Sequence, residues 1–80
     1  MMKITVLGSG CSNCKRLLES VTLAVKELKL NVEIVYQTDM IEIAKTGIMH
    51  TPGLMIDEKI VSSGKVLTKD QVILLLKNIE

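Results

Sequence analysis

The sequence predicts an α/β fold in the order β-α-β-α-β-β-α, a four-stranded mixed sheet with three helices. Three observations carry that reading. The spacing of apolar residues changes along the chain, from short strand-like runs to two long helical stripes. Turn-forming residues fall between these runs, at Gly8-Ser9-Gly10, Thr51-Pro52-Gly53 and Asp57-Glu58-Lys59. Eighty residues, 48% hydrophobic and 24% charged, have room for one core, so a single domain over residues 1–80 is expected.

Lys3–Leu7 is a near-continuous apolar run, as expected of a central strand buried on both faces. Leu17, Leu18, Val21, Ala24, Val25 and Leu28 then recur at helical spacing, with Lys15, Glu19, Lys26 and Glu27 largely on the other side. Leu30-Asn31 is expected to end that helix. Val32–Tyr36 alternates as a strand, with Val32, Ile34 and Tyr36 facing one way. Thr38 or Asp39 can cap a short helix running to about Lys45, with Gly47 as its stop. After Thr51-Pro52-Gly53, Leu54–Ile56 and Ile60–Ser62 form a hairpin that Gly64 breaks. Thr68-Lys69-Asp70-Gln71 has the form of a capping box, and Val72, Leu75, Leu76 and Ile79 make the buried stripe of a last helix. The first three elements suit a right-handed parallel crossover, and the last three an antiparallel hairpin covered by a helix.

Cys11 and Cys14 are the only cysteines, and they stand where the first strand passes through a glycine loop into the first helix. A thiol at a helix start meets unpaired N–H groups and the positive end of the helix dipole, which favour thiolate over thiol. Cys11 is therefore expected to be the more exposed and more acidic thiol, with Lys15 and Arg16 adding to the effect at greater distance. Cys14, inside the first turn, is expected to point back toward Cys11 and to hold its proton more tightly. A disulfide across so short a loop would remove little entropy from the unfolded chain, so reactivity explains the pair better than stabilisation does. Cys-x-x-Cys by itself also fits zinc and metallochaperone sites.

Composition narrows the function. Ten basic and nine acidic residues are spread along the chain, and Tyr36 is the only aromatic. Nucleic acid is therefore not expected as a partner, for want of a basic run and a stacking platform. No segment approaches the roughly 18 apolar residues of a membrane span, and Ile4–Leu7 is too short for a signal-peptide core. No membrane contact, a cytoplasmic location and a monomer are the expectations.

Met2-Lys3-Ile4, Gly8-Ser9-Gly10-Cys11-Ser12-Asn13-Cys14, Val25-Lys26-Glu27-Leu28 and Thr51-Pro52-Gly53-Leu54 together resemble the thioredoxin fold in its minimal form. The chain is similar, over essentially its whole length, to the small archaeal and bacterial thioredoxin-like proteins known as redox-active disulfide proteins. That resemblance implies dithiol–disulfide exchange, with Cys11 as the attacking thiol, Cys14 as the resolving thiol and a reversible Cys11–Cys14 disulfide. It implies that Pro52 is a cis-proline facing the cysteines, and that the Thr51 backbone pairs with a bound peptide. Gly10, Ser12 and Asn13 would complete the substrate-binding surface. Protein disulfides would be the substrates, and an unidentified reductase or low-molecular-weight thiol the electron source; no cofactor or metal is required. The chain departs from thioredoxin itself, which has Trp before its first cysteine, Gly-Pro between the two, and a buried Asp where Thr5 stands here. It also lacks glutaredoxin's Cys-Pro-Tyr-Cys, and Ser63-Gly64 keeps at best one glycine of the glutathione loop.

Other residues have plainer readings. Gly8 and Gly10 satisfy turn geometry. His50 is taken as a solvated loop histidine ahead of a proton-transfer group, and Lys15 and Arg16 as a solvated helix face. Met40, Met49 and Met55 are expected to fill gaps in the core, with Met49 as a candidate for a partner-binding rim. Two other function classes remain open at this point. One is a soft-metal carrier for Cu(I), zinc or arsenite, although two thiolates give zinc only half a tetrahedral shell. The other is a non-enzymatic module that binds peptides at Thr51-Pro52.

Overall fold

The computed structural model describes residues 2–8, 10 and 12–79, apart from the side chains of Met2 and Ile79. Its elements are β1 (Met2–Leu7), α1 (Ser12–Leu28), β2 (Val32–Gln37), α2 (Met40–Lys45), β3 (Gly53–Ile56), β4 (Lys59–Ser63) and α3 (Lys69–Ile79). The strands form one mixed sheet in the order β2-β1-β3-β4. β1 pairs in parallel with β2, Ile4 opposite Ile34, and antiparallel with β3, Leu7 opposite Gly53. This is the minimal thioredoxin fold expected from the sequence.

The core lies on one face of the sheet. Ile4 and Val6 of β1 and Leu54 and Ile56 of β3 meet Leu17, Val21, Ala24 and Val25 of α1 and Val72, Ile73 and Leu76 of α3. The two long helices also pack against each other. Val32, Ile34 and Tyr36 close the cluster from β2, as their alternation predicted. Each fully buried aliphatic side chain here is worth about 1.5–3 kcal/mol of transfer free energy. Ile73 is buried, which the expected stripe of α3 did not include.

Local chemistry accounts for where the elements stop. Asp39, not Thr38, caps α2: its Oδ1 accepts the Ile41 N–H at 2.9 Å. The capping box of α3 forms in both directions. The Thr68 N–H donates to Gln71 Oε1 at 2.9 Å, and the Gln71 N–H to Thr68 Oγ1 at 3.3 Å. Thr68→Ala is expected to cost about 1 kcal/mol, read as a lower urea midpoint at unchanged slope. α1 ends at Leu28, earlier than Leu30-Asn31, because Lys29 turns into the left-handed region at φ 54°. The Leu30 N–H then reaches back to Val25 O at 3.1 Å, a six-to-one closure that also drops Leu30 onto the core.

The hairpin is tighter than expected. Lys59 pairs with Ile56, so Asp57-Glu58 alone make the turn, with Asp57 at φ 56°. The Asp57 N–H donates to Lys3 O at 2.6 Å, and its Oδ1 accepts the Lys3 N–H at 3.1 Å. These bonds tie the turn to the start of β1. The register shifts between Leu54 and Met55, leaving Val61 as the extra residue of a bulge on β4. Across the top of the helical layer, Lys69 Nζ donates to Glu27 Oε1 at 2.8 Å. That bond, with the Glu27 charge behind it, holds the Lys69 ammonium above the ordinary lysine pKa. Its contribution to stability is present below the ordinary lysine pKa and disappears as pH rises through the raised one. Both side chains are open to solvent, so salt screens the pair.

Candidate functional site: the cysteine helix and the Thr51-Pro52 loop

Because Leu7 pairs with Gly53 in antiparallel register, the chain leaves β1 through Gly8 beside the place where it enters β3 from Pro52. The Gly8 N–H donates to Gln37 O at 3.0 Å, which fastens the exit from β1 to the end of β2. From there the chain reaches α1, whose first residue is Ser12. The start of α1, through Cys14 against Gly8, and the Thr51-Pro52 loop, through Gly53, therefore lie at the end of the sheet where Leu7 pairs with Gly53.

Cys14 is fully buried in the first turn of α1. Its side chain lies directly on Gly8. A β-carbon built on Gly8 would overlap the Cys14 sulfur and stand 2.7 Å from the Cys14 β-carbon. The sequence offered only turn geometry as a reason for Gly8. The signal that could have shown more is a glycine closing a strand, a place where close approach often excludes side chains. Ser12 and Asn13 are exposed on the same turn. Gly10 has φ +90° and open space where a side chain would stand. Lys15 and Arg16 are exposed, and the first turn of α1 carries no acidic residue. Cys11, and with it the Cys11–Cys14 pairing, lies outside the described residues.

On the other strand, the Thr51–Pro52 peptide bond is cis. Thr51 is exposed and Pro52 buried, and the Pro52 carbonyl accepts the Gly64 N–H at 2.9 Å. That bond ties the loop to the end of β4. Gly53 is buried for a steric reason: a β-carbon there would overlap Ile48 Cδ1 and lie 3.5 Å from Leu7 Cδ1. His50 is exposed, and its β-carbon stands 3.0 Å from where a side chain on Gly64 would begin. Thr5 is half-buried in the middle of β1, opposite Val35 and Met55.

The methionine expectation fails in part. Met55 is half-buried in β3, but Met40 is 57% exposed and Met49 83% exposed. The reason is the length of α2. Its six residues present Ile43 to the interior and leave Met40 and Ile41 outside, and Met49 lies in the loop that leads to Pro52. Among the described residues, no group of three or more His, Cys, Asp or Glu side chains stands together as a metal-binding cluster. No helix among them is long and apolar enough to cross a membrane.

Comparison with known proteins places this arrangement. A solved structure described as a malarial protein superposes with a TM-score of 0.75, covering 98% of this chain and 96% of its own, at 9% identity. It shares the fold. A thioredoxin of Methanothermobacter thermautotrophicus is 36% identical over 72 residues, 90% of this chain and 94% of the relative. A thioredoxin of Methanocaldococcus jannaschii is 39% identical over 72 residues, 90% of this chain and 83% of the relative. The thioredoxin-domain family matches residues 2–77. The chain belongs to that thioredoxin family, and with it to the thiol–disulfide oxidoreductases.

Proposed function

We propose that this chain acts as a single domain that exchanges a Cys11–Cys14 dithiol for the disulfides of other proteins. The observation that carries this reading is Cys14, buried at the start of α1 on the strand end that adjoins Pro52. Cys11 immediately precedes the first residue of α1, a place where helix N–H groups stabilise an anion. Its thiolate attacks one sulfur of a substrate disulfide, forming a mixed disulfide and releasing the other substrate sulfur as thiolate. The Cys14 thiol loses its proton and attacks the Cys11 sulfur. The intramolecular disulfide forms, and the second substrate sulfur leaves as thiolate. Two electrons pass from the dithiol to the substrate, and both released thiolates take up protons from water.

Gly10, Ser12, Asn13, Thr51 and Pro52 form the docking surface in this scheme. An extended substrate segment pairs with the Thr51 backbone as an added strand, and the open space at Gly10 admits the segment to the sulfur. A reductase or low-molecular-weight thiol returns the electrons. The protein works as a cytoplasmic monomer. The soft-metal reading is less well supported, since α2 stands between β2 and β3, where the β-α-β-β-α-β order of ferredoxin-like metal carriers has no helix.

The rate of Cys11 alkylation against pH tests the mechanism. Cys11 is expected to ionise below the roughly 8.5 of a free cysteine, and before Cys14 does. A Cys11 that titrates like free cysteine, or after Cys14, rules out the division of labour between the two thiols.

A further inference from the structure

Gly8 does more than turn the chain. Its φ lies outside the left-handed region, so its conformation is open to any residue, and what excludes a side chain is contact. That contact is with one partner. The three heavy atoms nearest a β-carbon on Gly8 are the sulfur, β-carbon and α-carbon of Cys14, the last at 3.8 Å. Gly8 is anchored from its N-terminal side: Leu7 before it is paired to Gly53 and Gln37, and its own N–H is bonded to Gln37 O. The floor under the Cys14 side chain is therefore backbone fastened to the end of the sheet, which yields less readily than the end of a flexible side chain would.

We infer that Gly8 is a positioning residue for the resolving step: bare backbone at the end of β1 sets where the Cys14 sulfur lies. The inference rests on the exchange reading above and deepens it. The resolving attack needs the Cys14 sulfur in line with the mixed disulfide on Cys11, and a displacement of about 1 Å in such a geometry costs on the order of a hundredfold in rate. A methyl group on Gly8 must move the Cys14 side chain, since the alternative is to move paired backbone. The first attack, by Cys11, forms no bond to the Cys14 sulfur. The signature of the seat is thus a split between the two steps, which a general loss of stability would not produce.

The experiment is a single-turnover reaction of reduced protein with a protein disulfide, quenched with acid, in which mixed disulfide and released thiol are followed over time. Gly8→Ala is expected to form the mixed disulfide at close to the wild-type rate and to resolve it on the order of tenfold to a hundredfold more slowly. Resolution at the wild-type rate in folded Gly8→Ala overturns the inference, as does equal slowing of both steps. If Gly8→Ala does not fold, folding of the Gly8→Ala/Cys14→Gly double variant decides, compared with Cys14→Gly alone. Cys14→Gly removes both the sulfur and the β-carbon that the new methyl would meet, so the double variant should fold and be about as stable as Cys14→Gly alone. A double variant that is unfolded where Cys14→Gly folds overturns the seat. Failure of the exchange reading looks different: the wild-type chain itself then forms no mixed disulfide.

Discussion

Cys11→Ser is expected to abolish disulfide reduction, by roughly a thousandfold or more, while the fold stands. The nucleophile in exchange is the thiolate, and an alcohol at the same position neither ionises near neutral pH nor forms a bond that a second thiol can cleave. The fold is held elsewhere, by aliphatic side chains such as Ile4, Val6, Leu17, Leu54 and Leu76, and none of these is changed. Cys14→Ser should fail in a different way. Cys11 still attacks, but nothing resolves the product, so mixed disulfides accumulate and can be isolated. It should also lose some stability, because Cys14 is fully buried and serine brings a hydroxyl into its place. Reduction of a protein disulfide by each variant, with electrophoresis under non-reducing conditions, separates the two outcomes. Equal residual turnover in both single variants would contradict the assignment of an attacking and a resolving thiol.

Where the sequence was legible, a local signal agreed with the final packing. β1 was legible from its apolar run, although its second face is only partly buried, with Leu7 inside, Thr5 half-buried and Lys3 exposed. α3 was legible because Thr68 and Gln71 stand at capping-box spacing. Where it was not, the deciding interaction came from a distant part of the chain. Lys29 takes a left-handed conformation that its residue type disfavours, because burial of Leu30 stabilises the closure. The bulge at Val61 follows from register against β3, which no window of the β4 sequence contains. Met40 and Met49 were assigned to core gaps by residue type, Met49 also to a partner-binding rim, but Met40 stands on the outer side of the short α2 and Met49 in the exposed loop after it.

The site divides in the same way. The cysteine spacing and the Thr-Pro step can be read directly, and their position near one another follows once a mixed sheet is assumed. What brings Cys14 and the Thr51-Pro52 loop to the same end of the sheet is the pairing of Leu7 with Gly53, a register that the sequence implies only through the whole fold. Gly8 and Gly53 show the limit most clearly. Both were read as conformational devices. Both are in fact steric, one beneath the Cys14 sulfur and the other beneath Ile48, and a residue's own letter does not say what will lie on it.

Leu17→Ala should be among the most damaging core changes, because Leu17 joins the cysteine helix to the sheet. It is fully buried one turn after Cys14 and packs in the cluster with Ile4, Val6 and Leu54. Removing its outer methyl groups forfeits their transfer free energy and leaves a cavity that paired strands cannot collapse, a loss of about 3 kcal/mol. At roughly 0.05–0.15 kcal/mol per residue, a domain this small has a total stability of about 4–12 kcal/mol. The loss is therefore a quarter or more of what holds the chain together. At about 4–8 °C per kcal/mol for a domain of this size, the melting midpoint should fall by roughly 12–24 °C. Leu23→Ala is the matched control. Leu23 is on the same helix and is 45% exposed, so the same truncation should shift stability by only about 0.5 kcal/mol. The two midpoints, measured side by side by circular dichroism, decide the matter. Similar shifts in the two variants would mean that α1 does not present Leu17 to the sheet, and the Cys14 seat on Gly8 would lose the packing that holds it in place.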